Sequence, residues 1–494
     1  MKLECLLEEL PGADVDGDRE VDLEGIHCDS RSVGQGDLFV AIRGGQERDR
    51  HLFIGDALSR GARAVVVEDP VECNGATRVL VGDCRTALAK LAARFYNFPG
   101  HAMTNIGITG TNGKTTTAFL LRSVLERAGL SCGYLGTLGA WVGGKLERIE
   151  NTTPEAIELH RWLRLMVDSG SRAAVLEVSS HGLALKRVEG IPFHAAVFTN
   201  LTRDHLDFHG TWDRYFSAKS RLFEGLDKEG VAVINADDPM AVELAQRTPG
   251  RVVTYGCGPA AQIRLKEVEP SPLGTYLHVE TPEGPVDLEI RLTGKFNYYN
   301  AIAALATGLG LGLESEAVLQ GIASLDNVPG RFERIVEGQD FAVIVDYAHT
   351  PDALERILRT ARELGEGRLI CVFGCGGDRD RGKRSLMGKV AGELADISVL
   401  TSDNPRSENP QDILCDIAEG VPQNSVSLCE IDRETAIITA FSEARSGDIV
   451  LIAGKGHESE QELANCVISF DDREVARRAL RVLHPRGGGD SCKG

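Results

Sequence analysis

Short apolar runs ending in polar residues recur along the chain, separated by stretches with helical spacing. DLFVAI (37–42), ARAVVVED (62–69) and RVLVGD (78–83) predict strands, and residues 85–97 predict an amphipathic helix. AAVLEVSS (173–180), AAVFTNL (195–201) and VAVINADD (231–238) are apolar almost throughout, as strands covered on both faces must be. FAVIVDYAH (341–349), RLICVFGCGG (368–377), ISVLTSDNP (397–405), SVSLCEI (425–431) and DIVLIAGKG (448–456) repeat the rhythm. Strands alternating with helices predict an α/β fold with doubly wound parallel sheets, whose carboxyl edges carry the ligands. Proline and glycine interrupt the pattern at FPGHAMTN (98–105) and near SLDNVPGRFE (324–333), which predicts segments 1–101, 102–330 and 331–494. The tail HPRGGGDSCKG is expected to be disordered.

GITGTNGKTTT, residues 107–117, follows one such apolar lead-in and opens a helical stretch from Thr117 to Ala128. A strand, a glycine turn and a helix N-terminus form an anion hole, in which backbone N–H groups and the helix dipole face a phosphate. Lys114 would reach the outer phosphates and the Thr115 hydroxyl would ligate magnesium. The spacing departs from the strict phosphate-loop pattern, since the glycines fall at 107, 110 and 113 and Ile108 takes the first glycine's place. This stretch predicts nucleoside triphosphate binding.

Charge narrows the partners. A net charge of −19 over 494 residues, with no long basic run, argues against nucleic acid and against a membrane surface. An acidic protein that handles anions must concentrate positive charge locally, so single loop arginines become informative. The 12 cysteines contain no C-x-x-C pair, Cys371 and Cys375 being the closest approach, which predicts reduced thiols in a cytoplasmic protein. MKLECLLEEL is too acidic for a signal peptide, and no apolar run reaches transmembrane length. A monomer without stable membrane insertion is expected.

Three further stretches carry chemistry. Glu177, a strand-end acid in VLEVSS, could hold magnesium opposite Thr115, although such acids also serve as helix caps. TNLTRDHLDFH (199–209) gathers Asp204, His205, Asp207 and His209 at a strand end, more polar groups than packing explains. Lys219, in YFSAKSRLF (215–223), reads from type and position alone as a solvated charge. Held near divalent cations, however, it would be disfavoured as an ammonium and, once neutral, could take up carbon dioxide as a carbamate.

Together GTNGKTT, NTTP (151–154), EVSSHGLALKRV (177–188), TNLTRDHLDFHGTWDRYFSAKSRLF, GKFNYYNAIAA (294–304), PGRFE (329–333), VDYAHTPDAL (345–354) and DSRSVGQGDLFVAIRG (29–44) resemble the Mur ligase family over nearly the whole chain and in the family's order. The resemblance implies three domains: an N-terminal UDP-sugar-binding domain, a central phosphate-loop ATPase sheet and a C-terminal Rossmann-like, amino-acid-binding sheet. It implies ATP binding by Gly110, Thr111, Asn112, Gly113, Lys114, Thr115, Thr116, Asn297, Asn300, Arg331, Asp346 and His349. Thr115, Glu177, His205 and carbamylated Lys219 would serve two magnesium ions. Ser30, Asn151, Thr152, Thr153, Ser179 and Arg187 would hold a UDP-muramoyl substrate. Leu185, where related ligases can carry glutamine, and Arg50–His51, in place of Gly-His, depart from the pattern.

The implied reaction is ATP-dependent amide formation on UDP-N-acetylmuramoyl-L-alanyl-D-glutamate through an acyl phosphate, in peptidoglycan precursor synthesis, with closure of the C-terminal domain. DNPRSENP (403–410), GDRDRGKR (377–384) and GKGHE (454–458) each follow a predicted strand of the last sheet. The plain alternative makes Arg406 a loop charge paired with Glu408. A guanidinium fork, however, fits the extra carboxylate of meso-2,6-diaminopimelate and repels the ammonium of L-lysine. The run resembles the D-N-P-R signature of the diaminopimelate-adding members. It assigns that amine to Arg379, Asp403, Asn404, Pro405, Arg406, Gly454 and Glu458. A lysine-adding or folylpolyglutamate synthetase-like ligase is the alternative within enzymes. A nucleotide-dependent switch would carry a guanine-reading N-K-x-D motif, which the sequence lacks.

Overall fold

The structure is a computed structural model describing residues 1–44, 49–73, 75–202, 204–270, 274–292 and 294–483; the expected disorder of residues 484–494 falls outside them. The chain divides into two compact units, one of Met1–Ile290 with Tyr299–Ser324 and one of Arg291–Tyr298 with Leu325–Gly494.

The first unit holds two sheets. The smaller runs Asp14–Asp16, Thr77–Leu80, Ala64–Val67, Leu38–Val40, Ile26–His27, antiparallel only at its first pair. The larger has seven parallel strands at its centre, among the described residues: Cys132–Gly136, Ala173–Glu177, Thr104–Thr109, Ala195–Phe198, Val231–Asn235, Arg251–Gly256 and Ile263–Pro270. Ala173–Glu177, Ala195–Phe198 and Val231–Asn235 are buried at every position, so their uniform apolar character reflects cover on both faces. Antiparallel strands extend this sheet at both edges, Gly139–Val142 with Lys145–Glu147 and Thr275–Thr281 with Gly284–Ile290.

The second unit is built on a sheet ordered Glu333–Ile335, Ala342–Asp346, Ile449–Ala453, Leu369–Phe373, Ile397–Leu400, Val426–Cys429, parallel except at its first strand. Leu354 and Ile357, Met387 and Ala391, and Ile413 and Ile417 bring three helices onto one face. Ile437, Phe441, Val475 and Leu480 bring the helices Arg433–Glu443 and Asp472–Leu483 onto the other. The predicted α/β class and doubly wound last sheet are therefore present. Val426–Cys429 is the edge strand of this sheet and is largely exposed. Among the described residues no helix is long and apolar enough to cross a membrane.

Candidate active site

Strand Thr104–Thr109 lies between Ala173–Glu177 and Ala195–Phe198, so the turn that follows opens at the carboxyl edge of the sheet. Gly110 has φ +149°, and a Cβ there would stand 1.9 Å from Thr199 Oγ1. Gly113 precedes helix Lys114–Arg127 at φ +86°, and a Cβ there would meet Asn300 Oδ1 at 2.5 Å. Neither position admits a side chain. Lys114 bends back over the turn, its Nζ donating to the carbonyls of Gly110 at 2.9 Å and Thr111 at 3.0 Å. Thr116 is buried in the first helical turn.

The turn is braced by a segment whose part the sequence does not reveal. Asn200 Oδ1 accepts from Asn112 N at 3.0 Å, Thr199 Oγ1 donates to Asn112 O at 2.6 Å, and Thr202 N donates to Thr111 Oγ1 at 2.9 Å. The brace is anchored in turn: Asn235 Nδ2 donates to Thr199 O at 2.8 Å and Asp238 Oδ2 accepts from Leu201 N at 2.7 Å.

Glu177 is a buried hub. Its Oε1 accepts from Tyr134 Oη at 2.6 Å and from Thr137 N at 3.1 Å; its Oε2 accepts from Thr115 Oγ1 at 3.0 Å and Thr137 Oγ1 at 3.1 Å. Thr137 Oγ1 also lies 3.2 Å from Thr152 Oγ1, and the Glu177 carbonyl accepts from Thr153 Oγ1 at 2.9 Å. Ser179 N donates to the same Thr153 hydroxyl at 3.0 Å, and Arg187 Nη1 donates to the Thr153 carbonyl at 2.9 Å. Four of the expected muramoyl residues, Thr152, Thr153, Ser179 and Arg187, thus form one network with the phosphate loop, while Asn151 is exposed beside them. Ser30 is buried in the smaller sheet's layer, close to where Arg50 Nη1 donates to the Cys28 carbonyl at 2.6 Å. The Arg50 departure therefore sets a guanidinium at the Cys28–Ser30 turn. Leu185 is partly buried at the end of helix Ser180–Ala184.

The polar stretch 199–209 separates into a surface part and a packed part. Asp204 and His205 pair at 3.3 Å on the surface, with His205 at φ +52°. His209 is buried, its ring centroid 5.1 Å from that of Tyr215 and 5.6 Å from that of His181, which also lies 4.8 Å from His205. Burial, and then the charge of His205, holds His181 and His209 down to about 4, and partial burial lowers His205 as well.

Lys219 overturns its plain reading as a solvated charge. Helix Trp212–Glu224 turns it inward, it is 2% exposed, and its Nζ lies 4.7 Å from the Tyr215 ring centroid. Burial, and secondarily the charge of Lys114, drive its pKa far below the usual lysine value. A neutral amine is the reactive form toward carbon dioxide. Among the described residues no three His, Cys, Asp or Glu side chains form a metal-binding cluster. Magnesium prefers oxygen donors and retains water, so the Thr115 hydroxyl and Glu177 carboxylate suit it, and Lys219 suits it only once carbamylated.

In the second unit, Asn297 is buried on helix Lys295–Gly310, which also carries Asn300 of the first unit. Asn300 Oδ1 accepts from Thr117 Oγ1 at 3.3 Å, which sets this carboxamide against the phosphate-loop helix. The Arg331 guanidinium lies 5.0 Å from the Tyr347 ring centroid, and Asp346 accepts from Phe332 N at 2.7 Å and Ala348 N at 2.8 Å. His349 Nδ1 lies 2.9 Å from the Tyr347 carbonyl, and burial lowers its pKa.

Two loops at the carboxyl edge of the same sheet interlock. Asn404 Nδ2 donates to Glu458 Oε2 at 3.0 Å, and fully buried Lys455 donates to Asn404 Oδ1 at 3.0 Å and Glu458 Oε2 at 2.9 Å. Glu458 is thus partly neutralised by a lysine whose role sequence reasoning missed, although it lies within GKGHE. Arg406 pairs with Glu462 at 2.6 Å and donates from Nη1 to the Gly377 carbonyl at 2.9 Å. The expected alternative partner, Glu408, is instead taken by Arg384 at 2.8 Å, because Arg406 adopts φ +50° and turns toward the strand Glu460–Leu463. Asp403 is buried and Pro405 O accepts from Glu408 N at 3.1 Å. Gly454 N donates to Asp346 O at 3.1 Å, and exposed Arg379 donates to the Asp378 carbonyl at 3.2 Å.

Comparison with known proteins places these features in one lineage. Residues 22–96 match the Mur ligase family catalytic domain, 108–308 the Mur ligase middle domain and 330–456 the Mur ligase glutamate ligase domain. A UDP-N-acetylmuramoyl-L-alanyl-D-glutamate--2,6-diaminopimelate ligase of Syntrophomonas wolfei subsp. wolfei is 45% identical over 97% of this chain and 99% of its own. A solved structure bearing the same enzyme name is 34% identical with TM-score 0.69, covering 98% of this chain and 99% of that one. A folylpolyglutamate synthase of Mycobacterium tuberculosis, complexed with ADP and AMPPCP, shares the fold at 19% identity and TM-score 0.63, covering 81% of this chain and 95% of its own.

Proposed function

The chain belongs to the Mur ligase family, and from that premise we propose that it is the ATP-dependent ligase that joins meso-2,6-diaminopimelate to UDP-N-acetylmuramoyl-L-alanyl-D-glutamate. Its segments 1–101, 102–330 and 331–494 would bind the UDP-sugar, ATP and the amino acid respectively. The observation that carries this reading is the Glu177 hub. One carboxylate touches Thr115 of the phosphate loop and, through Thr137, Thr152 of the muramoyl set. Transfer of a phosphoryl group from ATP to a substrate carboxylate needs the two sites to share such a boundary.

A carboxylate is a poor acyl donor, so the terminal carboxylate of the substrate first attacks the γ-phosphorus of ATP, forming an acyl phosphate and releasing ADP. Lys114 and the N-terminus of its helix offset charge on the moving phosphoryl group. The amine of diaminopimelate then attacks the acyl carbon, and the tetrahedral intermediate expels phosphate. Two magnesium ions, held by Thr115, Glu177, His205 and the Lys219 carbamate, would supply further charge neutralisation. Arg187, Thr153 and Ser179 orient the muramoyl peptide, while Asn297, Asn300, Arg331, Asp346 and His349 attend the nucleoside and its phosphates. Asp403, Asn404, Arg406 and Glu458 recognise the distal amino-acid centre of diaminopimelate, and Arg379 its other end.

A panel of amines tests this directly. Ligation of meso-diaminopimelate in the presence of ATP and the UDP-muramoyl dipeptide, with phosphate release that depends on all three, supports it. ATP hydrolysis indifferent to the sugar nucleotide would overturn it.

A further inference from the structure

Under the two interlocked loops lies an ion pair sealed from solvent: Arg433 and Asp472 both have side chains 0% exposed. Arg433 opens helix Arg433–Glu443 and Asp472 opens helix Asp472–Leu483. The guanidinium grips the carboxylate with two parallel bonds, Nε to Oδ1 and Nη2 to Oδ2, each 2.7 Å. Its remaining reach goes to the sheet. Nη2 donates to the Ala453 carbonyl at 3.0 Å and Nη1 to the Ser402 carbonyl at 3.2 Å.

Those two carbonyls are the roots of the loops. Ala453 ends strand Ile449–Ala453 and precedes Gly454, Lys455 and Glu458; Ser402 follows strand Ile397–Leu400 and precedes Asp403, Asn404 and Arg406. The strands are not neighbours, since Leu369–Phe373 runs between them. No backbone ladder therefore sets one loop root against the other, and the planar guanidinium spans the gap. Asp472 fixes the plane of that fork and so the distance between the carbonyls it holds.

A buried ion pair is a weak device for stability, because removing two charges from water offsets most of their attraction. It is a strong device for geometry, because the fork admits one arrangement. We propose that the Arg433–Asp472 pair is a positioning element for the amine substrate, setting the spacing between loop 403–406 and loop 454–458. This rests on the reading that those loops receive diaminopimelate.

The test is a split of kinetic constants in variants that keep the core filled. In Arg433→Met/Asp472→Leu the pair is replaced by apolar groups of similar size, a change that buried pairs often tolerate. Its KM for diaminopimelate should rise about tenfold or more, as slight misplacement of binding groups costs. The KM values for ATP and the UDP-muramoyl dipeptide should stay within about twofold, since the fork's bonds run to Asp472 and to the Ala453 and Ser402 carbonyls and to no residue assigned to either. Arg433→Lys and Asp472→Asn, which retain a polar core, should raise the same constant if the double variant does not fold. An unchanged KM for diaminopimelate in any folded variant, or a rise shared by all three substrates, overturns the proposal, as does failure of all three variants to fold. Failure of the parent enzyme to use diaminopimelate would sink the underlying reading instead.

Discussion

Thr115 Oγ1 donates to Glu177 Oε2 at 3.0 Å, joining the first turn of the phosphate-loop helix to the end of the adjacent strand. The carboxylate accepts four hydrogen bonds from neutral donors. Glu177→Gln would turn an amide N–H₂ against two of them, leaving donors facing donors. We expect it to lose about 1–3 kcal/mol of stability and to need more magnesium for half-maximal turnover. Thermal unfolding and a magnesium titration check both; an unchanged magnesium requirement removes Glu177 from the metal set.

Lys114→Ala should abolish phosphoryl transfer, a loss of about 100-fold or more, and leave the fold intact. Its Nζ donates to the loop carbonyls of Gly110 and Thr111. Turnover equal to the parent's refutes the assignment.

The buried amine of Lys219 gives a prediction with a definite sign. Its pKa is lowered on folding, so between the folded value and the ordinary 10.5 the unfolded chain holds the extra proton and stability rises with pH. Lys219→Met removes that penalty. The variant should be more stable than the unmodified parent in carbonate-free buffer at neutral pH, yet nearly inactive. Intact mass of the active parent, measured in bicarbonate, should show one carboxyl group added at Lys219; an unmodified amine in fully active enzyme ends the idea.

Arg406 is already paired with Glu462, so an incoming carboxylate must compete for, or share, that fork. The parent should ligate meso-diaminopimelate and reject L-lysine, and Arg406→Ala should erode the preference by on the order of 2–5 kcal/mol. Comparable kcat/KM for the two amines in the parent would contradict it.

Acid should loosen the fold through its histidines. His160, His181 and His209 are held at about 4, largest cause burial, so as pH falls from 6.5 toward 4 the unfolded chain takes up protons that the folded one refuses. Stability must fall across that window. His160→Leu, deep in the core, should flatten the acid limb of a Tm-against-pH curve, and an unaltered limb would show that other groups set it.

The phosphate loop is legible in the sequence because its demands are local: Gly110 and Gly113 are required by backbone angle and close approach, and Lys114 by its place at a helix start. The parallel strands are legible because burial on both faces leaves only apolar residues. Lys145–Glu147, one of the extending antiparallel strands, is exposed at every position and carries no such signature. Long-range partners are illegible for another reason. Asp238 lies 37 positions from Leu201 and Glu462 lies 56 from Arg406, and nothing in local pattern announces either bond. Lys219 shows the converse error: its type indicates solvent, and only the facing of helix Trp212–Glu224 reverses it.

Lys186, at φ +57°, forms an ion pair with Asp83 and donates to Thr86 Oγ1 at 2.8 Å. Asp83 also caps helix Cys84–Phe95 through Arg85 N and Thr86 N, so the junction borrows a residue that its own module already employs. Such an economy creates linkage. A crossover that brings a foreign N-terminal module against this central one inherits a cap adapted to one lysine. Viable chimeras should therefore retain positions 83, 86 and 186 from a single parent, making this trio a marker of which modules have travelled together.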